Sequence, residues 1–317
     1  MSGDPFFLLG AARTASLFCG AKIHPDCLHI GADGSVRVSL SATAESWFHT
    51  LSQLGEVLHL TRNSVAVLGT IRAIPELIDW SNSALPRDAA RLLTPNLGQY
   101  ASLWAVRETS PAGPVYGLEA GDVSGRRFQK VVLTARSRRE LFEQFVIRHQ
   151  SPLAETEHWI SPNHHASQHR CQAISQRLAY LRLQQQEGAT TIHALSSAGL
   201  PQLLAAAAAA RVPVRTTHYN HALNCAAVWL PEPPTLADRE SDGVTFFHGA
   251  NVGLHVLTAT PEMWLWQRHC RCCDRENWTI EIGGPDDQIG LAITVGDERL
   301  ESKWRALVAA TLLRSPA

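Results

Sequence analysis

The chain has 317 residues, 45% of them apolar and 18% charged, with a formal net charge of −1 at neutral pH. That length suits one large domain or two of about 150 residues, and the composition is that of a chain that buries a core. The near-neutral balance excludes the basic field of a nucleic-acid binder and the polybasic signal of a membrane-surface protein, and the longest apolar run, Leu203–Ala210, is far short of the roughly 20 residues that span a bilayer.

The first residues do not read as a secretory signal, because Asp4 stands where positive charge belongs and Arg13 interrupts the apolar stretch Pro5–Cys19. Seven cysteines, an odd number with three between Cys270 and Cys273, do not read as a disulfide framework, so a reducing cytoplasm is the expected location. One candidate helix, Gly10–Lys22, is followed by a hairpin signal at Ala32–Gly34. Apolar residues then recur every three to four positions over Ala44–Leu54, predicting a helix. Short runs rich in Val, Leu and Tyr, such as Val115–Leu118 and Gln129–Thr134, predict strands before a closing helix at Ser137–His149. The polar segment 151–193 opens with the loop Ser151–Asn163. It continues as a helical pattern from His164 to Gln186, for which Asn163 is a natural N-cap after Pro162. Beyond it the texture repeats: helix Leu200–Ala210, strands at Thr245–Phe247 and Leu254–Thr258, and a last helix at Glu301–Leu313.

The repetition is also visible residue by residue. Trp104 through Arg107 aligns with Trp264 through Arg268, Val115 through Asp122 with Trp278 through Gly284, and Val131 through Thr134 with Ala292 through Thr294. Leu141–Val146 aligns with Lys303–Val308, all at an offset near 160, and Val57–Asn63 with Val214–Asn220 at a slightly shorter one. Five matches in one order argue for a duplicated unit, roughly 41–150 and 194–314. The expected organisation is an N-terminal repeat within 1–150, a connecting loop and helix at 151–193, and a C-terminal repeat within 194–317. The expected fold class is α+β: two antiparallel sheets with flanking helices, packed in one chain.

Two clusters invite chemistry. His158, His164, His165, His169 and Cys171 crowd the connecting segment, with His164 or His165 and His169 able to share a helix face. Neutral imidazole is a ligand for iron, zinc and copper, but the same residues also suit a solvated helix start, and a zinc site would need a further ligand that the local sequence lacks. In the run His269–Cys273, adjacent cysteines cannot both point at one tetrahedral ion without strain, so Cys270, Cys272 and Cys273 read as thiols rather than a metal knot. Signatures of α/β-hydrolases, P-loops, dinucleotide folds and zinc proteases are missing from the sequence.

The stretch LGEVLHLTRN at Leu54–Asn63 resembles the LGxVxxLTRN segment of the HemS/ChuS-type haem-utilisation proteins, the hemin-degrading factors. The likeness continues in order through Ser175–Arg182, Leu203–Pro213, Gly253–Val256, Trp264–Arg268 and Trp304–Val308. In that family the iron-ligating histidine stands thirteen residues before an arginine, and His164 stands thirteen residues before Arg177. The family's VHEKxGxY segment is replaced here by Val65–Ile71, and the aromatics after its ligand histidine by Ala166–Gln168.

The resemblance implies a tandem α+β protein of haem uptake and iron acquisition, with haem as cofactor. It implies His164 as axial ligand, Arg177 on the opposite face of the iron as the catalytic candidate, and His165 and His169 as substitute ligands. It implies Arg91 and Arg268 as clamps on the haem propionates, a role suited to arginine, which binds carboxylates in a bidentate way. It implies either delivery of haem or its oxidative degradation with electrons from an outside reductase. A haem importer, a haem oxygenase or a reductase are the implied partners, with no nucleic acid and no membrane insertion. A haem-free relative serving as a ligand-binding or interaction module is the alternative.

Overall fold

The computed structural model describes residues 23–31, 34–76, 93–111, 113–152, 183, 185–186, 190–195, 198–233, 244–257, 262–270, 275–283 and 289–314. In chain order these form β1 (Leu28–Ile30), β2 (Val36–Leu40), α1 (Ala44–Gln53), β3 (Gly55–Arg62), β4 (Ala66–Ala73), β5 (Leu93–Pro95), β6 (Ser102–Ser110), β7 (Gly113–Gly121), β8 (Arg127–Ser137) and α2 (Arg139–His149). The second half contributes β9 (Thr190–Ala194), α3 (Gly199–Ala209), β10 (Val214–His218), β11 (Leu223–Trp229), β12 (Val244–Gly249) and β13 (Val252–Leu257). It ends with β14 (Glu262–Cys270), β15 (Arg275–Gly283), β16 (Ile289–Val295) and α4 (Glu301–Arg314). The strands make two sheets, ordered β1-β2-β6-β7-β8-β3-β4-β13-β12 and β5-β11-β10-β16-β15-β14-β9. This is the α+β class expected from the sequence, two antiparallel sheets with few helices.

The two orders correspond. The run β2-β6-β7-β8-β3-β4 has the connectivity of β9-β14-β15-β16-β10-β11. Each run then takes its next strand from the other half of the sequence: β13 pairs with β4, with Val252 opposite Thr70 and Val256 opposite Ala66, and β5 lies beside β11. Compact units accordingly cross the chain order. One holds the described residues 23–60, 71–76 and 95–152, the other 61–70, 93–94 and everything from 183 onward.

In the first unit, α1 starts at Thr43, whose hydroxyl accepts the Ser46 amide at 3.2 Å, satisfying one of the orphan donors of the first turn. Its buried face, Trp47, Phe48 and Leu51, packs with Phe142, Phe145 and Val146 of α2, the Trp47 and Phe145 rings meeting edge-on at 6.3 Å, and the sheet buries Val38, Leu118 and Val131. Each such side chain contributes about 1.5–3 kcal/mol by leaving water. A polar strut runs through this layer. The Trp47 indole donates to Gln129 Oε1 at 3.2 Å, and the Gln129 amide reaches His59 Nε2 at 2.9 Å, fixing α1 above β8 and β3.

In the second unit, α3 buries Leu200, Leu203, Leu204 and Ala207, and α4 buries Trp304 and Val308. Arg211, just past α3, adopts a left-handed φ of 53°, and the Val212 amide returns to Ala207 O at 2.9 Å, closing the helix end. Lys303 of α4 donates to Ala210 O at 2.6 Å, placing a cation on the carbonyl end of α3. Trp304 donates its indole N–H to Trp278 O at 3.0 Å, anchoring α4 to β15.

Candidate functional site

Of the residues singled out in the sequence, His164, His165, His169, Arg177 and Arg91 lie outside the described residues, as do His158, Cys171, Cys272 and Cys273. Arg268 is placed by its backbone: it stands in β14, opposite Asn277 of β15 on one side and Thr190 of β9 on the other. Met263 and Leu265, lower on the same strand, are buried. Position 268 is therefore carried by a strand hydrogen-bonded on both edges, the rigid placement a carboxylate clamp needs. Cys270 closes the same strand opposite Arg275.

The first unit contains a charge cluster that sequence reading did not single out. On β7, Glu119 is only 3% exposed and stands between Trp104 of β6 and Lys130 of β8. Its carboxylate lies 3.1 Å from Arg127, 3.4 Å from Lys130 and 3.8 Å from Arg37, while Lys130 also bonds Glu108. A carboxylate this deep stays in the fold because cations surround it. The second unit repeats the placement: β14 sets Trp264 opposite Glu281 of β15, and Glu281 is 4% exposed. The sequence aligned Trp104 with Trp264, but a strand alternating around a glutamate normally turns it to water.

Imidazoles of the second unit fall into two environments. His218 on β10 is fully buried, its Nε2 lies 3.1 Å from Ala66 O, and burial pushes its pKa down to about 4. It is a neutral structural donor. His255 on β13 is half-buried beside the Phe246 ring; burial first, and then neighbouring His248, hold it below the usual histidine range. Among the described residues no group of three His, Cys, Asp or Glu converges as a metal cage. A groove of about 400 Å³ in the first unit, lined by Pro114, Val115, Tyr116, Val132, Leu133, Thr134 and Arg139, offers neither imidazole nor thiol.

No protein-family model matches the chain, and no curated protein matches it significantly. Solved structures do. The heme degrading enzyme ChuS of Escherichia coli O157:H7 superposes with a TM-score of 0.67 at 16% identity, covering 86% of each chain. A second structure of E. coli ChuS, described as a heme oxygenase, gives 0.65 at 16% identity over 96% of this chain and 97% of its own. Holo-PhuS, a heme-binding protein from Pseudomonas aeruginosa, gives 0.62 at 19% identity over 88% and 87%. This chain shares their fold. The likeness spans both halves of the chain.

A haem would need one axial imidazole rather than a cage, cations for two carboxylates, and a rigid frame. Of these, the described residues place the backbone of Arg268 on β14, while the histidines of the sequence between α2 and β9 lie outside them.

Proposed function

We propose that the chain binds haem and serves haem uptake and iron acquisition, delivering its cargo or supporting its oxidative degradation. The observation that carries this reading is the shared fold with ChuS and PhuS over 86–96% of the chain. The thirteen-residue spacing between His164 and Arg177, which is the one the family motif requires, supports it.

In this reading His164 would hold the haem iron, and His165 and His169 are near enough in sequence to replace it. Arg177 would supply hydrogen-bond donors near the iron, and Arg91 and Arg268 would hold the propionates. Apolar burial of the macrocycle would drive association, and the imidazole would tune the iron. When bound, the haem supplies the redox chemistry, and this chain's residues bind it, orient it and exclude water. A haem importer would be the donor, and a haem oxygenase or a reductase the partner downstream. No helix among the described residues is long and apolar enough to cross a membrane; the cytoplasmic location is inferred from cysteine usage.

Hemin titration followed at the Soret band tests the proposal. Wild type develops a ligated-haem band with one equivalent, and His164→Ala loses or shifts it. A wild type that never develops the band leaves the haem-free interaction module, which the replacement of the VHEKxGxY segment by Val65–Ile71 also favours. Appearance of bilin absorbance after addition of ascorbate or a reductase separates a degrading protein from a carrier.

A further inference from the structure

The β12–β13 hairpin presents two imidazoles from one face. His248 is paired with Gly253 and Phe246 with His255, so His248 and His255 flank the Gly253 position, one directly across and one two residues along. The opposite face of the hairpin is the buried one, carrying Thr245, Phe247, Leu254 and Val256. The space over Gly253 is open: a Cβ built there meets no heavy atom within 4 Å. On its far side Gly253 is paired with Gly69 of β4, which carries no side chain, while Val67 stands opposite His255. The Phe246 ring packs edge-on against His255 at 4.5 Å and 65°, restricting the imidazole's rotation.

We propose that His248 and His255 form a binding site for a divalent first-row metal ion over Gly253, separate from the haem ligands. Imidazole pairs suit Cu²⁺, Ni²⁺ and Zn²⁺. Two protein ligands leave coordination positions to water, so the site is an exchangeable one and not a closed structural centre. It does not rest on the haem reading, because it uses neither the connecting segment nor Arg268.

The test is Cu²⁺ titration of the haem-free full chain labelled with ¹⁵N-glycine. Paramagnetic broadening of the Gly253 and Gly249 amides at substoichiometric Cu²⁺, relieved by excess Zn²⁺, is the expected result. His248→Ala, at an exposed position, and His255→Phe, which keeps the aromatic packing, each weaken the response at least about tenfold, the lower end of what losing even an outer-shell partner costs a metal site. Unchanged metal-free glycine spectra show that both variants are folded. Amides of Gly249 and Gly253 that stay sharp while Cu²⁺ is taken up elsewhere overturn the proposal, as does a wild-type response in both variants.

Discussion

The Oδ1 atom of Asn63 accepts the amides of Val65 and Ala66, each at 2.8 Å, and the Oδ1 atom of Asn220 accepts those of Ala222 and Leu223 at 3.0 and 2.6 Å. The two asparagines close the β3–β4 and β10–β11 hairpins by the same turn chemistry, at positions that the sequence repeat aligns. Their amide nitrogens differ. Asn63 Nδ2 donates to Tyr219 O at 2.7 Å and Gly290 O at 2.8 Å, whereas the buried Nδ2 of Asn220 has no hydrogen-bond partner. Gly290 makes the approach to Asn63 feasible, since a Cβ there would stand 2.7 Å from Val65 Cγ2. Asn63→Ala thus strips two hydrogen bonds more than Asn220→Ala does. We expect a loss of about 3 kcal/mol for the first and about 1–2 kcal/mol for the second, read from urea unfolding midpoints. Equal losses would mean that the bonds to Tyr219 and Gly290 contribute nothing.

His218 gives the second unit an acid sensitivity. Its folded pKa, about 4, lies below the ordinary 6.5 because the ring is fully buried, and the bond to Ala66 O only partly opposes that effect. Its cross-strand neighbours are Cys225 and Leu291, neither of which offers a carboxylate. The unfolded chain therefore takes up a proton below about pH 6.5 that the folded chain refuses. Stability from this group is complete above that pH and drains away as pH falls toward 4, by about 3 kcal/mol in total. His218→Gln keeps a donor for Ala66 O but does not titrate. Between pH 7.5 and 4 it should lose correspondingly less stability than wild type. An imidazole resonance of His218 that titrates near 6.5 in the folded protein would refute this account.

Local pattern made the helices legible: Ala44–Leu54, Leu200–Ala210 and Glu301–Leu313 were expected, and helices stand at Ala44–Gln53, Gly199–Ala209 and Glu301–Arg314. Apolar periodicity suffices there because each helix turns one stripe to a sheet. The hairpin signal at Ala32–Gly34 likewise falls between β1 and β2, where the Gly31 amide bonds Ser35 O at 2.8 Å. The placement of β5 and β13 was not legible, since a strand's partner depends on register with residues more than 100 positions away, and no local pattern encodes it. Nor was Glu119, whose burial depends on Arg37, Arg127 and Lys130 arriving from two other strands. Of the proposed haem residues only position 268 is placed, and its register on β14 follows from the same strand pattern that aligned Trp104 with Trp264.

Glu119 supplies a sharper contrast between buried and exposed charge. Glu119→Gln removes the deeply buried carboxylate that faces Arg37, Arg127 and Lys130, leaving Lys130 on Glu108, whose side chain is 35% exposed. Breaking a buried ion cluster from one side costs about 3–5 kcal/mol, while an exposed pair contributes about 0–1 kcal/mol. Glu119→Gln should therefore lower the unfolding midpoint severely, and Glu108→Gln barely. Should Glu119→Gln prove neutral, the cations must be satisfied by other groups and the cluster is not a stability element of the sheet.

Two strand glycines, one on β7 and one on β13, should respond in opposite ways to one added methyl group. Gly117 on β7 lies between Val106 and Val132, and a Cβ there would stand 2.4 Å from Val131 O, a backbone atom that cannot swing aside. Gly117→Ala must spread β7 from β8 and give up ladder bonds around Glu119, at a cost of about 3 kcal/mol or more. Gly253→Ala meets open space and should change stability by no more than about 0.5 kcal/mol in either direction. The same methyl group would nevertheless sit between His248 and His255, so Cu²⁺ broadening at Gly249 should weaken while the melting curve stays in place. Loss of stability in Gly253→Ala would show that the space over β13 is occupied, and the metal proposal would fall with it.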